Sequence, residues 1–237
     1  MARVTYVGHA TVLIDLDGVR LLTDPVLRPR VLHLRRVGPV AAEALRGLDA
    51  VLLSHAHWDH LDLPSVERLG KGIPVVCPTG VAPLLRRKRF AHVTALGVGE
   101  AITIGPLTVT GVHAEHDGGR GPLGASGELG FVVSGSRSVY FAGDTDLFDG
   151  LAELGPVDVA LVPVAGWGAK VGPGHLDPER AAEAVRLLRP RVVVPIHWGT
   201  LARVGRTPDT ESPHEFARLA PPGVTVRILS PGESLDF

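Results

Sequence analysis

A disulfide framework is excluded at once, because the 237-residue chain carries a single cysteine, Cys77. That scarcity suits a reducing compartment. No stretch approaches the roughly 18 apolar residues that a membrane helix needs. The opening Met1-Ala2-Arg3-Val4-Thr5-Tyr6 lacks the charged-then-apolar order of a secretory leader. We therefore expect a soluble, cytoplasmic protein with no membrane partner. An excess of either charge is also missing: 24 Lys and Arg face 25 Asp and Glu, for a net charge of −1. Such a chain has no concentrated positive field for a phosphate backbone, which argues against a nucleic-acid partner. The basic run Arg86-Arg87-Lys88-Arg89 reads as a solvated helix face. Lysine is rare, three of the 24 basic residues, and carries no functional reading.

What the chain does have is apolar residues, 45% of the total, in short segments punctuated by Gly, Pro and Asp. Its length suits one large domain, 1–237, and a self-sufficient core. Strands are expected at 3–7, 11–16, 19–23, 49–53, 73–77, 101–104, 107–112, 131–134, 138–142, 158–162, 191–196 and 224–229. Asp17-Gly18 marks a two-residue hairpin. A helix opens at Asp177-Pro178-Glu179, an N-cap, a first-turn proline and an acid at the positive dipole end, and runs to Pro190. Ser212-Pro213-His214-Glu215 reads as a capping box, and 41–48 and 64–69 as further helices. Strand-rich, helix-punctuated order recurs in both halves, roughly 1–115 and 116–237, which points to two facing sheets with helices outside.

The densest chemistry lies in Leu52-Leu53-Ser54-His55-Ala56-His57-Trp58-Asp59-His60-Leu61-Asp62. It follows a nearly continuous apolar strand. In an extended segment residues two apart point the same way, so His55 and His57 converge on one point. Asp59 and His60, where the chain turns, reach a second point nearby. Imidazole with carboxylate suits zinc, and also iron or manganese. More ligands are needed, and three other strand ends offer them: His113-Ala114-Glu115-His116, Gly143-Asp144-Thr145 and Ile196-His197-Trp198-Gly199-Thr200. Rigid scaffolds place functional groups at such positions. His33, His92 and His214 receive no role; His9, also at a strand end, is a further candidate for a place near the site.

His-x-His-x-Asp-His, a later His, Gly-Asp-Thr and Ile-His-Trp-Gly-Thr, in that order, resemble the metallo-β-lactamase superfamily over nearly the whole chain. Gly8-His9-Ala10-Thr11 and Leu22-Thr23-Asp24-Pro25 are similar to one branch of it, which holds the L-ascorbate-6-phosphate lactonase-like and N-acyl-phosphatidylethanolamine phospholipase D-like proteins. The resemblance implies an α/β (α+β) chain folded as a four-layer αββα sandwich with a dinuclear site. His55, His57 and His116 would bind one divalent metal ion, Asp59, His60 and His197 a second, and Asp144 both. Relatives carry Pro-Ala-x-His at the third motif. That alignment puts the ligand at His116, with His113 as the second choice.

Two such ions activate a bridging water to hydroxide and polarise a carbonyl or phosphoryl oxygen. The expected activity is hydrolysis of a small ester, lactone or phosphodiester, with Asp59 also accepting or passing a proton. Gly174-His175-Leu176-Asp177 resembles a cleft segment of the branch, making His175 a candidate proton donor or substrate contact. Trp58, Trp167 and Trp198 could form an aromatic wall, and Trp198 could equally pack between the sheets. Lys170 and Arg120 are candidates for an anionic substrate group. Competing readings are a phosphodiesterase acting on lipid or nucleic acid, a redox di-iron protein, and a non-catalytic metal-binding module. The 52 residues between Asp144 and His197 leave no room for an inserted nucleic-acid-gripping domain. No strongly amphipathic stretch suggests a lipid surface. An acid replaces a histidine of the first motif in redox relatives, whereas His57 and His60 are both present here. All seven ligand positions are filled, which disfavours the inert module. A homo-oligomer is compatible with the sequence.

Overall fold

The computed structural model describes residues 2–40, 42–117, 119, 123–124, 126–166 and 172–237. The first part of the chain forms β1 (Ala2–Gly8), β2 (Thr11–Leu16), β3 (Val19–Thr23), the short β4 (Arg30–Val31) and β5 (Leu34–Arg36), and β6 (Ala50–Leu52). Helix α1 (Leu63–Leu69), β7 (Val75–Pro78), α2 (Ala82–Arg87) and β8 (Val93–Leu96) follow. The second part holds β9 (Ala101–Ile104), β10 (Leu107–His113), β11 (Leu129–Ser134), β12 (Ser138–Phe141), α3 (Leu151–Leu154) and β13 (Val159–Pro163). It ends with α4 (Pro178–Leu188), β14 (Val192–Ile196), β15 (Leu201–Arg203), α5 (Ser212–Leu219), β16 (Thr225–Val226) and β17 (Ser234–Asp236).

Among the described residues the strands form two seven-stranded sheets, ordered β17-β1-β2-β3-β6-β7-β8 and β16-β14-β13-β12-β11-β10-β9, and a small β15-β5-β4 sheet. The chain changes sheet between Leu96 and Ala101, ahead of position 115, and β17 returns to the first sheet. Strand periodicity explains the layers. Ala50 and Leu52 of β6 point into the core between the sheets, with Phe131, Val139, Phe141, Leu161 and Ile196 from the facing sheet. Their neighbours Val51 and Leu53 point outward under α1 and α2, against Val66 and Leu85. Tyr140, Ala160 and Val193 point outward under α4 and α5, against Val185 and Phe216. Strands covered on both faces read as continuous apolar runs, as these do. The architecture is an αββα sandwich.

Most expected strands form, and the differences have local causes. The expected helix at 41–48 is a single 3-10 turn, Ala42–Leu45, cut short by Gly47 at φ +58°. The expected strand at 224–229 pairs only at Thr225–Val226, after which Leu229 turns into the core. The expected capping box at Ser212 does not form. Asp209 instead accepts from the backbone N–H groups of Glu211 and Ser212 and from the Ser212 hydroxyl. At α4 the expected cap does form, with Asp177 accepting from the Arg180 N–H at 2.9 Å. The short strands β4, β5, β15 and β17 carried no alternating apolar signal and exist through their partners.

β6 runs parallel to β3, and β12 and β14 run parallel to β13. The carboxyl ends of these strands therefore open onto one edge of the sandwich, where the loops carrying the ligand-type residues meet. Phe131, fully buried between the two sheets, is a test of that core. Phe131→Ala is expected to lower the unfolding free energy by about 3–5 kcal/mol in urea titrations.

Candidate metal centre

Four strand ends deliver the expected residues to one place. His55, His57, Asp59 and His60 follow β6, His116 follows β10, Asp144 follows β12 and His197 follows β14. They fall into two adjoining groups, His55–His57–His116–Asp144 and His9–Asp59–His60–His197, in each of which the potential ligand atoms lie within 4.8 Å of one another. Asp144 touches both: its Oδ2 lies 3.7 Å from His55 Nε2 and 3.1 Å from His60 Nε2, and its Oδ1 lies 3.1 Å from His197 Nε2. The close approach depends on Gly143, at φ +63°, where a Cβ would stand 2.6 Å from Ser54 Cβ.

The imidazoles are oriented from behind. His116 Nδ1 donates to the Gly174 carbonyl at 2.6 Å and His197 Nδ1 to the Ala165 carbonyl at 2.7 Å. A carbonyl can only accept, so Nδ1 carries a proton and Nε2 is the nitrogen left to face the centre, as a ligand atom once the ring is neutral. His60 Nδ1 meets Asp24 Oδ2 at 2.7 Å, and His55 Nδ1 meets the Ser54 hydroxyl, itself bonded to Asp24. This is the outer support that metal-binding histidines normally have. Asp24 and Ser54 stand within the sequence motifs but receive no role from the sequence; their signal is position, since Asp24 also follows a strand of the same edge.

The donor set fits a metal. Four ligands about 2.0–2.1 Å from a tetrahedral ion stand about 3.3 Å apart. Here His57 Nδ1 and His116 Nε2 are 3.0 Å apart, His60 Nε2 and His197 Nε2 3.2 Å, and His197 Nε2 and Asp59 Oδ2 3.5 Å. Among the described residues, His55 Nε2 and His57 Nε2 are buried with no hydrogen-bond partner. Protons do part of a cation's work here. Burial pushes His60 and His197 down, but the Asp144 carboxylate overrides it, holding His60 well above its ordinary value and His197 at about 9. Burial likewise would raise Asp144, and the His197 and His60 charges hold it well below the usual carboxylate range. On the other side of the centre burial wins: it lowers His55 well below its ordinary value, His57 to about 4, and His116.

Other candidates divide. His175 joins the centre, its Nε2 3.3 Å from Asp144 Oδ2 and its Nδ1 3.2 Å from the Gly172 and Pro173 carbonyls. His9 joins it too, buried, with Nε2 3.0 Å from Asp59 Oδ2 and its carbonyl accepting from the His197 N–H. His113 does not: its side chain is 50% exposed, beside Glu115. Trp198, for which an aromatic wall beside the substrate and packing between the sheets are equal expectations, packs. Its ring stacks on Tyr6 at 5.8 Å and its N–H is taken by the Pro195 carbonyl. Trp58 faces the cleft instead, in a cavity of about 190 Å³ that also touches His57, Asp59, Asp144, His175 and the unexpected His33. Arg120, Lys170 and Trp167 lie outside the described residues.

Residues 19–198 match the family model described as the beta-lactamase superfamily domain. A metal-dependent hydrolase of Thermococcus kodakarensis is 34% identical over 250 residues, covering 100% of both chains. An N-acyl-phosphatidylethanolamine-hydrolyzing phospholipase D of Caenorhabditis elegans is 33% identical over 225 residues, covering 83% of this chain and 63% of that protein. Among solved structures, a metallo hydrolase from Ignicoccus hospitalis superimposes with a TM-score of 0.75 at 26% identity, covering 100% of this chain and 99% of that one. The diiron β-hydroxylase CmlA of Streptomyces venezuelae shares the fold, with a TM-score of 0.78 at 21% identity over 100% of this chain and 54% of its own. With its αββα layers and its ligand-bearing edge, the chain belongs to the metallo-β-lactamase superfamily and, within it, to the metal-dependent hydrolases.

Proposed function

We propose that the protein hydrolyses a small ester, lactone or phosphodiester with two divalent metal ions, zinc in the first place and manganese or iron as compatible substitutes. One observation carries this: two donor groups meet on a single buried carboxylate, Asp144, at the mouth of a cavity. His55, His57 and His116 would hold one ion, Asp59, His60 and His197 the other, and Asp144 both. Such a pair supplies an activated water and polarises the substrate oxygen.

The chain's own residues do the rest. Asp59 and His175 both line the cavity and are within reach of a bound substrate. Asp59 would accept the proton released as the water attacks. It stays ionised, with its oxygens free to accept, because, although burial raises it, the His60 charge holds it well below the ordinary carboxylate range. His175, raised against the pull of burial by the Asp144 carboxylate, would hold a proton for the leaving group or for a substrate oxygen. The Caenorhabditis relative's name makes a lipid phosphodiester the second reading. The redox reading is weaker: its neighbour shares only the fold, and both first-motif histidines face the centre here.

Elemental analysis of purified, metal-supplemented protein should give about two transition-metal ions per chain, as a two-metal site demands; less than half an ion would remove the mechanism. His116→Ala should lose metal while His113→Ala retains it, because only His116 faces the cluster. Asp59→Asn should cut kcat by roughly 10²–10⁴-fold on an activated ester or phosphodiester, with an unchanged circular dichroism spectrum. Metal uptake at neutral pH should release protons. His60 and His197 are charged below their raised values and must be neutral to bind. Calorimetry in buffers of different ionisation enthalpy reads that release, and binding heats independent of buffer would refute it.

A further inference from the structure

The cleft has two unlike walls. One is the ligand side, with His57, Asp59, Asp144 and His175; the other is Val31, Leu32, His33 and Leu34 of the β4–β5 hairpin together with Trp58, apolar except for His33. Leu32 and Trp58 are 53% and 44% exposed, among the largest apolar side chains left open to solvent. Single exposed apolar residues mean little, but these two border one cavity. Leu32 is also in an unusual conformation. It is the first residue of a two-residue turn and has φ +49°. Positive φ at that position normally selects glycine, asparagine or aspartate. A leucine there costs backbone energy and gains little packing, since half of it faces water. Strain of this kind is retained where a site uses the side chain.

Among the described residues no Arg or Lys lines this cavity. We infer that the Leu32–Trp58 wall determines specificity, receiving an uncharged alkyl or aryl group of the substrate beside the bond that is cleaved. This rests on the hydrolytic reading and narrows it, from small esters, lactones and phosphodiesters in general to those with an apolar substituent next to the reacting centre. The cavity, at about 190 Å³, is smaller than the roughly 300–1,000 Å³ of drug-sized ligand pockets. It therefore suits a short chain or a single ring. An apolar wall beside a few convergent polar groups is the usual composition of a small-molecule site.

The test uses the full-length, zinc-loaded protein in two arms. The first measures dissociation constants of 1-alkanols, from ethanol to 1-octanol, by ligand-observed NMR. This neutral series needs neither turnover nor a metal contact. Each methylene should tighten binding about four-fold until the cavity is full. The double variant Leu32→Asn with Trp58→Ala should flatten the series. It is expected to fold, because both side chains are half-exposed and asparagine tolerates positive φ; circular dichroism checks this. The second arm measures kcat/KM for p-nitrophenyl esters and p-nitrophenyl alkyl phosphodiesters of matching chain length. A flat wild-type alkanol series overturns the inference, as does a rising series that the double variant leaves intact. Binding of glycerol phosphate in preference to hexanol also overturns it, in favour of an anion site. A rising alkanol series with no ester or phosphodiester turnover supports the wall and removes the hydrolytic reading. Turnover beside a flat series does the reverse.

Discussion

A carboxylate with almost no access to water organises this molecule. Asp144 is 2% exposed and has His55, His60, His116, His175 and His197 within 4 Å of its oxygens. An isolated buried carboxylate is strongly disfavoured, so it must be matched by positive charge. Without a metal the match comes from protons on the surrounding imidazoles. Those same nitrogens are the ones a cation would occupy. The groups that could hold a metal ion and the positive charge that the buried carboxylate needs thus fall in the same place.

The fold serves that requirement by bringing both sheets to one edge. The first sheet supplies His9, Asp24 and the 55–60 segment, and the second supplies His116, Asp144 and His197. The imidazoles of His55, His60, His116, His175 and His197 are held from outside by a partner fixed in the backbone or in a buried side chain. A ring so held loses little freedom when it binds, which keeps the donors in place before any ligand arrives. The third small sheet, β15-β5-β4, lays its hairpin along the open side and completes the cavity.

Much of this was legible in the sequence because the strands that deliver the site are buried on both faces. Residues 11–16, 19–23 and 101–104 form strands with the limits expected, and the ligand loops follow apolar runs that are hard to read otherwise. Motif position favours His116 over His113, and His116 is the one whose side chain lies in the cluster. What was hidden depends on distant partners. β17, Ser-Leu-Asp, has no strand signature and pairs because β1 presents an open edge, with Arg3 bonded to Asp236. Trp198 lies inside a ligand motif, yet its neighbour Tyr6, 192 positions away, claims the ring. The β4–β5 hairpin is rich in arginine and has no alternating pattern, so nothing local announced a wall of the cleft.

Gly143 has a wider meaning. Its missing Cβ lets the loop after β12 rest on Ser54, the residue just ahead of the first histidine. The two halves of the centre therefore touch through backbone and a methylene, with no adjustable side chain between them. Spacing between the donor groups is thereby set by bare chain contact, like a gauge block between two jaws. Substituents elsewhere around the rim can vary the guest that is admitted, while the distance across which the chemistry happens stays the same.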